Sequence, residues 1–297
     1  MAEQFCTVGD DVELCYETFG DPSDPAMLLI MGLGTQMGGW HDDFCAQLAD
    51  RGFFAIRFDN RDIGRSKAMD LPVPSLKQLL LRDKRAAVYT LEHMAEDGFG
   101  LLDYLGIERA HIAGVSMGGM IAQTMAARRP ERVLSLASML SNTGALWSGQ
   151  PSPRMYPVLL KPAPRDRDGY MDHAVEVFAK IGSRGFPRDE QDLRRMAGIS
   201  YDRGVNPAGS LRQLAAIIAS GDRTPLLRTI TAPTVVIHGT KDKLVPTSGG
   251  RATAKAIPGA RLVLIEGMGH DLPRGAWPRM LDALAENAAR AGEPLAA

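Results

Sequence analysis

The run Gly114-Val115-Ser116-Met117-Gly118-Gly119 constrains this chain more than any other stretch. It closes an apolar, strand-like segment at 110–115. It opens a segment with helical spacing that runs to Arg128, with Met120, Ile121, Thr124 and Met125 recurring along it. A strand that turns sharply into a helix forces the corner serine into a strained backbone conformation and lifts its hydroxyl above the sheet. Glycines two before and two and three after remove side chains that would collide at so tight a corner. The pattern predicts a nucleophile elbow with Ser116 at its tip. The plain alternative is a β–α turn whose serine caps the helix.

The segments around this corner suggest a wound sheet. Residues 4–8 and 12–19 read as two strands around Gly9-Asp10-Asp11, an antiparallel hairpin. Apolar runs at 26–31, 53–58, 110–115 and 133–139 read as buried strands, and the strand pattern resumes at 233–238 and 261–266. Helical spacing separates them at 41–51, at 90–105 with Thr90 as N-cap, and at 274–290 with Trp277, Leu281 and Leu284 on one face. After 139 the alternation stops. A proline-rich connection (Pro151, Pro153, Pro157, Pro162, Pro164) leads into helix-like segments near 167–181, 188–203 and 207–220. This order predicts an α/β class, a mostly parallel eight-stranded doubly wound sheet with a helical insertion after strand 6. The expected division is a core of 1–141 and 229–297 and an insertion of 142–228. Ligands of such sheets collect at the carboxyl ends of the strands.

A serine hydroxyl is a poor nucleophile at neutral pH. It needs a base within hydrogen-bond reach and a carboxylate that orients the base. Of six histidines, His270 alone stands in a glycine-rich loop after the last strand, in the Ser–acid–His chain order of a wound-sheet hydrolase. Asp242 follows the strand at 233–238 by a few residues, and Pro246 suits the start of the next helix. The other place for the acid, after 133–139, reads Leu140-Ser141-Asn142 and offers no carboxylate. Asp271 must point elsewhere if His270 faces the serine. Two donors are needed for a tetrahedral oxyanion. The Met117 amide, at the start of the elbow helix, is one. The Leu33 amide is the other, on Met31-Gly32-Leu33-Gly34, where two glycines let the backbone approach a substrate.

Composition excludes several classes. A net charge of −1 provides no basic field for nucleic acid. Cys6, Cys15 and Cys45 lack metal-type spacing and read as buried free thiols, although Cys6 and Cys15 can face each other across the hairpin. No metal site is expected. The opening Met-Ala-Glu-Gln-Phe-Cys lacks a leader pattern and no apolar run reaches bilayer length, so the expected location is cytoplasmic. The expected substrate-binding residues are apolar: Met139, Trp147, Met155, Tyr156 and Leu244, beside Leu33 and Met117. The run 76–88, with Leu79, Leu80 and Leu81 beside Arg82, Lys84 and Arg85, reads as an amphipathic or solvated surface helix.

With these residues in view, the chain resembles the α/β-hydrolases from end to end. The resemblance rests on the elbow, on Asp59-Asn60-Arg61-Asp62-Ile63-Gly64-Arg65-Ser66 after a strand, on His238-Gly239-Thr240-Lys241-Asp242 and on Gly269-His270. The stretch from Leu28 to Ser66 is most similar to the esterase branch that includes aclacinomycin methylesterases and bacterial lipases or carboxylesterases. The resemblance implies a triad of Ser116, Asp242 and His270, no cofactor, and a cap formed by 142–228. Two positions depart from the pattern: Met31 replaces the common histidine before Gly32, and Asp62 replaces the common glycine after Arg61. The expected activity is hydrolysis of short-to-medium or hydrophobic carboxylic esters through an acyl-enzyme. Carbon–carbon bond hydrolysis, cofactor-free perhydrolysis and a small-molecule receptor with vestigial catalysis are the alternatives. Monomer and homodimer both remain open.

Overall fold

The structure is a computed structural model and describes residues 2–9, 11–152, 155 and 161–292. Its frame is an eight-stranded sheet in the order β1-β2-β4-β3-β5-β6-β7-β8. The strands are β1 (Gln4–Val8), β2 (Val12–Phe19), β3 (Ala26–Ile30), β4 (Phe54–Phe58), β5 (Ala110–Val115), β6 (Val133–Met139), β7 (Thr234–Gly239) and β8 (Arg261–Ile265). Their ends fall within one residue of those read from the sequence. β1 and β2 form the expected hairpin, with Val8 opposite Val12, and β2 runs antiparallel to β4. Every later pairing is parallel.

Ten helices of the described residues accompany the sheet: α1 (Asp42–Ala49), α2 (Leu76–Leu80), α3 (Leu91–Tyr104), α4 (Met117–Arg128), α5 (Arg167–Ile181), α6 (Glu190–Asp202), α7 (Pro207–Ser220), α8 (Thr224–Leu227), α9 (Thr247–Ala256) and α10 (Trp277–Ala289). β3, β4 and β5 are buried at every position, because helices cover both faces. The strand alternation sorts their side chains. Leu28, Ile30 and Ile112 join Met94 and Leu101 of α3 and Ile121 and Met125 of α4 in one core. Met27, Leu29 and Ala113 join Phe44 and Leu48 of α1 and Trp277 and Leu281 of α10 in the other. Each such aliphatic or aromatic side chain contributes about 1.5–3 kcal/mol by leaving water. The central strands are therefore the firmest place from which to present a side chain.

α5 to α8 lie between β6 and β7. The two chain ends of this insertion are tied together: the Arg223 amide donates to Thr143 O at 2.7 Å, and its guanidinium donates to Asn142 O at 2.8 Å. α7 is anchored to the core through the residue that departs from the family pattern. Asp62 is buried and accepts Arg212 Nε at 2.9 Å and Nη2 at 2.6 Å, the Tyr89 hydroxyl at 2.8 Å and the Met69 amide at 2.8 Å. Its backbone sits at φ 73°, a conformation that favours glycine. Its bonds to Arg212, Tyr89 and Met69 hold the carboxylate in this strained position.

Two expectations are corrected. The run 76–88 is not one helix: α2 covers five residues and ends before Arg82, whose φ of 51° breaks helical geometry. Leu79 packs on Ala215 and Ile218 of α7, while Leu76, Leu80 and Leu81 remain exposed. Cys6 and Cys15 do not face each other. Register sets Cys6 opposite Leu14 and Cys15 opposite Phe5, so the two thiols point to opposite sheet faces. All three thiols are free and buried, and burial raises Cys6 to about 11 and Cys15 and Cys45 to about 12. Among the described residues no helix is long and apolar enough to cross a membrane.

Candidate active site

Ser116 stands between β5 and α4 at φ 57° and ψ −118°, the strained corner expected of an elbow. Its side chain makes no capping bond to the helix, which sets aside the plain-turn alternative. The backbone holds the corner from both sides. The Ser116 amide donates to Met139 O at 2.8 Å, and the Ser141 hydroxyl donates to Ser116 O at 2.8 Å. The glycines are obligatory for space. A Cβ on Gly114 would lie 2.1 Å from Gly118 O, and one on Gly118 would lie 2.1 Å from Ile30 O. Strand and helix thus meet backbone to backbone, and strain of about 1–3 kcal/mol at the serine is sustained by that contact.

Asp242 lies on the turn after β7, its side chain fully buried. Oδ1 accepts the Leu244 amide at 2.9 Å and the Val245 amide at 2.8 Å. Oδ2 meets His270 Nδ1 at 2.7 Å. With the carboxylate accepting, Nδ1 carries the proton, and in the neutral ring Nε2 then keeps its lone pair, the tautomer a general base needs. His270 sits on the loop after β8, where its own amide donates to Ile181 O at 2.8 Å. Asp271 turns away, as expected: it accepts the Ser183 amide at 2.9 Å and the Ser183 hydroxyl at 2.5 Å.

The loop after β3 brings Gly32 against Ser116. A Cβ on Gly32 would stand 3.2 Å from Ser116 Cβ and 3.7 Å from its Oγ. The Asn60 side-chain amide donates to Met31 O at 3.0 Å, and the Met37 amide donates to Asp59 Oδ1 at 2.7 Å. The motif after β4 therefore fixes this loop from below. Met117 is fully buried at the first turn of α4, where the helix dipole favours negative charge.

The alpha/beta hydrolase fold family model matches residues 25–273. This chain belongs to that family. The hydrolase is 30% identical over 284 residues to the rhodomycin D methylesterase of Streptomyces peucetius, covering 89% of this chain and 91% of that one. It is 26% identical to 3-oxoadipate enol-lactonase 2 of Acinetobacter baylyi, over 86% of each chain. Among solved structures, a thermophilic esterase from Thermogutta terrifontis superposes with a TM-score of 0.74 at 24% identity, covering 99% of this chain and 100% of that one, a likeness of fold. The enol-lactonase from Burkholderia xenovorans superposes at 0.72 and 25% identity, over 97% and 99% of the two chains. The resemblance to an α/β-hydrolase esterase read from the motifs is thereby borne out.

The residues expected to line the hydrolase's pocket are spread over different environments. Met139 is wholly enclosed in the core and serves the elbow through its carbonyl. Met155 is buried, and Leu244 is half-buried on the Asp242 turn. Leu33 is 36% exposed. Trp147 is a correction: at 87% exposed, its ring projects into solvent from the turns after β6. Tyr156 falls outside the described residues.

Sequence reasoning passed over His238. Its Nε2 donates to Val245 O at 2.8 Å and lies 3.6 Å from Asp242 Oδ2. Burial lowers its pKa, and the ring braces the turn that carries Asp242. It also assigned no task to Asp59 or Asn60, whose partners lie across the sheet edge. Among the described residues no group of three or more His, Cys, Asp and Glu is arranged to hold a metal ion.

Proposed function

We propose that this hydrolase is a serine carboxylic-ester hydrolase working through Ser116, His270 and Asp242. The observation that carries the reading is the 2.7 Å bond between His270 Nδ1 and Asp242 Oδ2, at the sheet edge that also bears the strained serine. In this mechanism Ser116 Oγ attacks the ester carbonyl while His270 Nε2 takes its proton. Asp242 holds the imidazole in one tautomer and stabilises the imidazolium. The Leu33 and Met117 amides receive the charge that develops on the carbonyl oxygen. His270 then returns the proton to the departing alkoxide, leaving Ser116 acylated. Water, deprotonated by the same imidazole, hydrolyses the acyl-enzyme.

Residues 142–228 act as a cap over this site, with Met155 and Leu244 as apolar contacts for substrate. Short-to-medium or hydrophobic esters are the substrate class, and the methylesterase among the relatives favours a methyl or other small alcohol as leaving group. A panel of p-nitrophenyl and methyl esters graded by acyl length, run beside a vinylogous diketone, tests the reading. Turnover of short-to-medium esters well above that of the diketone is expected. Turnover of the diketone alone would overturn ester hydrolysis in favour of carbon–carbon cleavage.

A further inference from the structure

Gln213 lies on α7, in the insertion, yet its side chain ends beside the nucleophile's neighbours. It is fully buried. Its Oε1 accepts the Gly34 amide at 2.9 Å, and its Nε2 donates to Arg61 O at 2.9 Å. Gly34 stands at φ 65° and so close to α7 that a Cβ there would lie 2.8 Å from Ser210 Oγ. Two residues earlier, Gly32 packs on Ser116 itself. The Leu33 amide, the expected oxyanion donor, is therefore bracketed. On one side the nucleophile limits its approach, and on the other the Gln213 carboxamide fixes the next peptide.

The rest of the loop is held in the same divided way. On the core side it rests on Asn60 and Asp59. On the insertion side the Gln36 side-chain amide donates to Ser200 O at 2.7 Å and to Gly204 O at 2.8 Å. Adjacent residues of α7 thus do complementary work on the turn after β4. Arg212 anchors the helix to Asp62, and Gln213 passes the position of the helix to the loop.

We propose that Gln213 is a positioning residue for the oxyanion hole, so that the seating of α7 sets how well the Leu33 amide is aimed. This rests on the ester-hydrolase reading above. Gly34 N–H has a fixed acceptor only while α7 is seated. When α7 moves away, that peptide is free to rotate and the adjoining donor loses its direction. Oxyanion stabilisation depends on donors that are already oriented before charge develops. The loss should accordingly fall on turnover and not on substrate binding.

The test compares Gln213→Asn and Gln213→Met with Gln213→Glu on one p-nitrophenyl ester. Asn is one methylene too short to reach Gly34, Met keeps the length but lacks the amide, and Glu keeps the acceptor. In Asn and Met variants that keep the native circular dichroism, kcat should fall roughly ten- to hundred-fold, with KM within about two-fold of the parent. Affinity for a phenylboronic acid, which mimics the tetrahedral adduct, should fall with kcat. Gln213→Glu keeps the acceptor for Gly34 but sets an oxygen against Arg61 O, so it should recover only part of the loss. Unchanged kcat in a folded Asn or Met variant would overturn the proposal, as would a rise in KM alone. Should one of these two variants not fold, the other and the Glu variant decide. Failure of the parent reading looks different: the unmodified enzyme would then turn over no ester, or turn it over equally well after Ser116→Ala.

Discussion

Ser116 keeps a left-handed backbone and a hydroxyl free of any helix-capping bond. Replacing it by alanine is expected to lower ester turnover on the order of 10⁶-fold while the fold survives, measured by steady-state kinetics and circular dichroism. His111 gives a prediction about stability. Burial lowers its pKa from 6.5 to about 4, with its Nδ1 at 2.9 Å from Ser135 Oγ. Between those two values the unfolded chain binds a proton that the folded chain refuses. The stability from this residue is therefore fully present above the unfolded value and is lost as pH falls toward 4, on the order of 3 kcal/mol in all. Urea unfolding at about pH 7 and pH 5 should show a smaller difference for His111→Asn than for the parent. At this scale the Asp242 and His270 pair was legible, because each follows a strand end with its own local signature. Gln213 was not. Its partners at 34 and 61 lie far off in the chain, and a glutamine on a helical stripe carries no mark of its target.

Among elements, α7 and the turn after β4 are joined by a buried ion pair. Asp62→Ala leaves the buried Arg212 guanidinium without its carboxylate, and loss of one partner of a buried pair costs about 3–5 kcal/mol. Asp62→Ala should lower the unfolding midpoint sharply, and adding Arg212→Met should restore much of it; a double-mutant cycle by chemical denaturation checks this. β3 to β7 were readable from their apolar runs, since a strand buried on both faces leaves a local record, and β1 and β2 from the turn between them. The seam was not, because Asp62 and Arg212 are far apart in sequence and only the fold joins them. The 76–88 run misled for a related reason. Its leucines have helical spacing, but the helix stops at Leu80, with Arg82 left-handed and Leu79 alone turned inward.

For the molecule as a whole, a wound sheet with two apolar cores holds the site edge rigid while an insertion reaches down to the same edge. Cys6 lies in one of those cores and Cys45 in the other, and Cys15 is buried beside the Arg203 guanidinium. A thiol reagent such as dithionitrobenzoate should modify none of them quickly in the native protein and all three in guanidinium. Rapid native labelling would mean that the sheet edges open far more readily than the cores imply. The family match, from residue 25 to 273, takes in the six strands β3 to β8, and Ser116, Asp242 and His270 lie within it. The most direct measurement is intact-mass spectrometry after brief treatment with a fluorophosphonate, followed by peptide mapping. A single phosphonyl group on Ser116, formed quickly in the parent and slowly after His270→Ala, is the predicted result. A label on another residue, or none while ester turnover continues, would contradict the account.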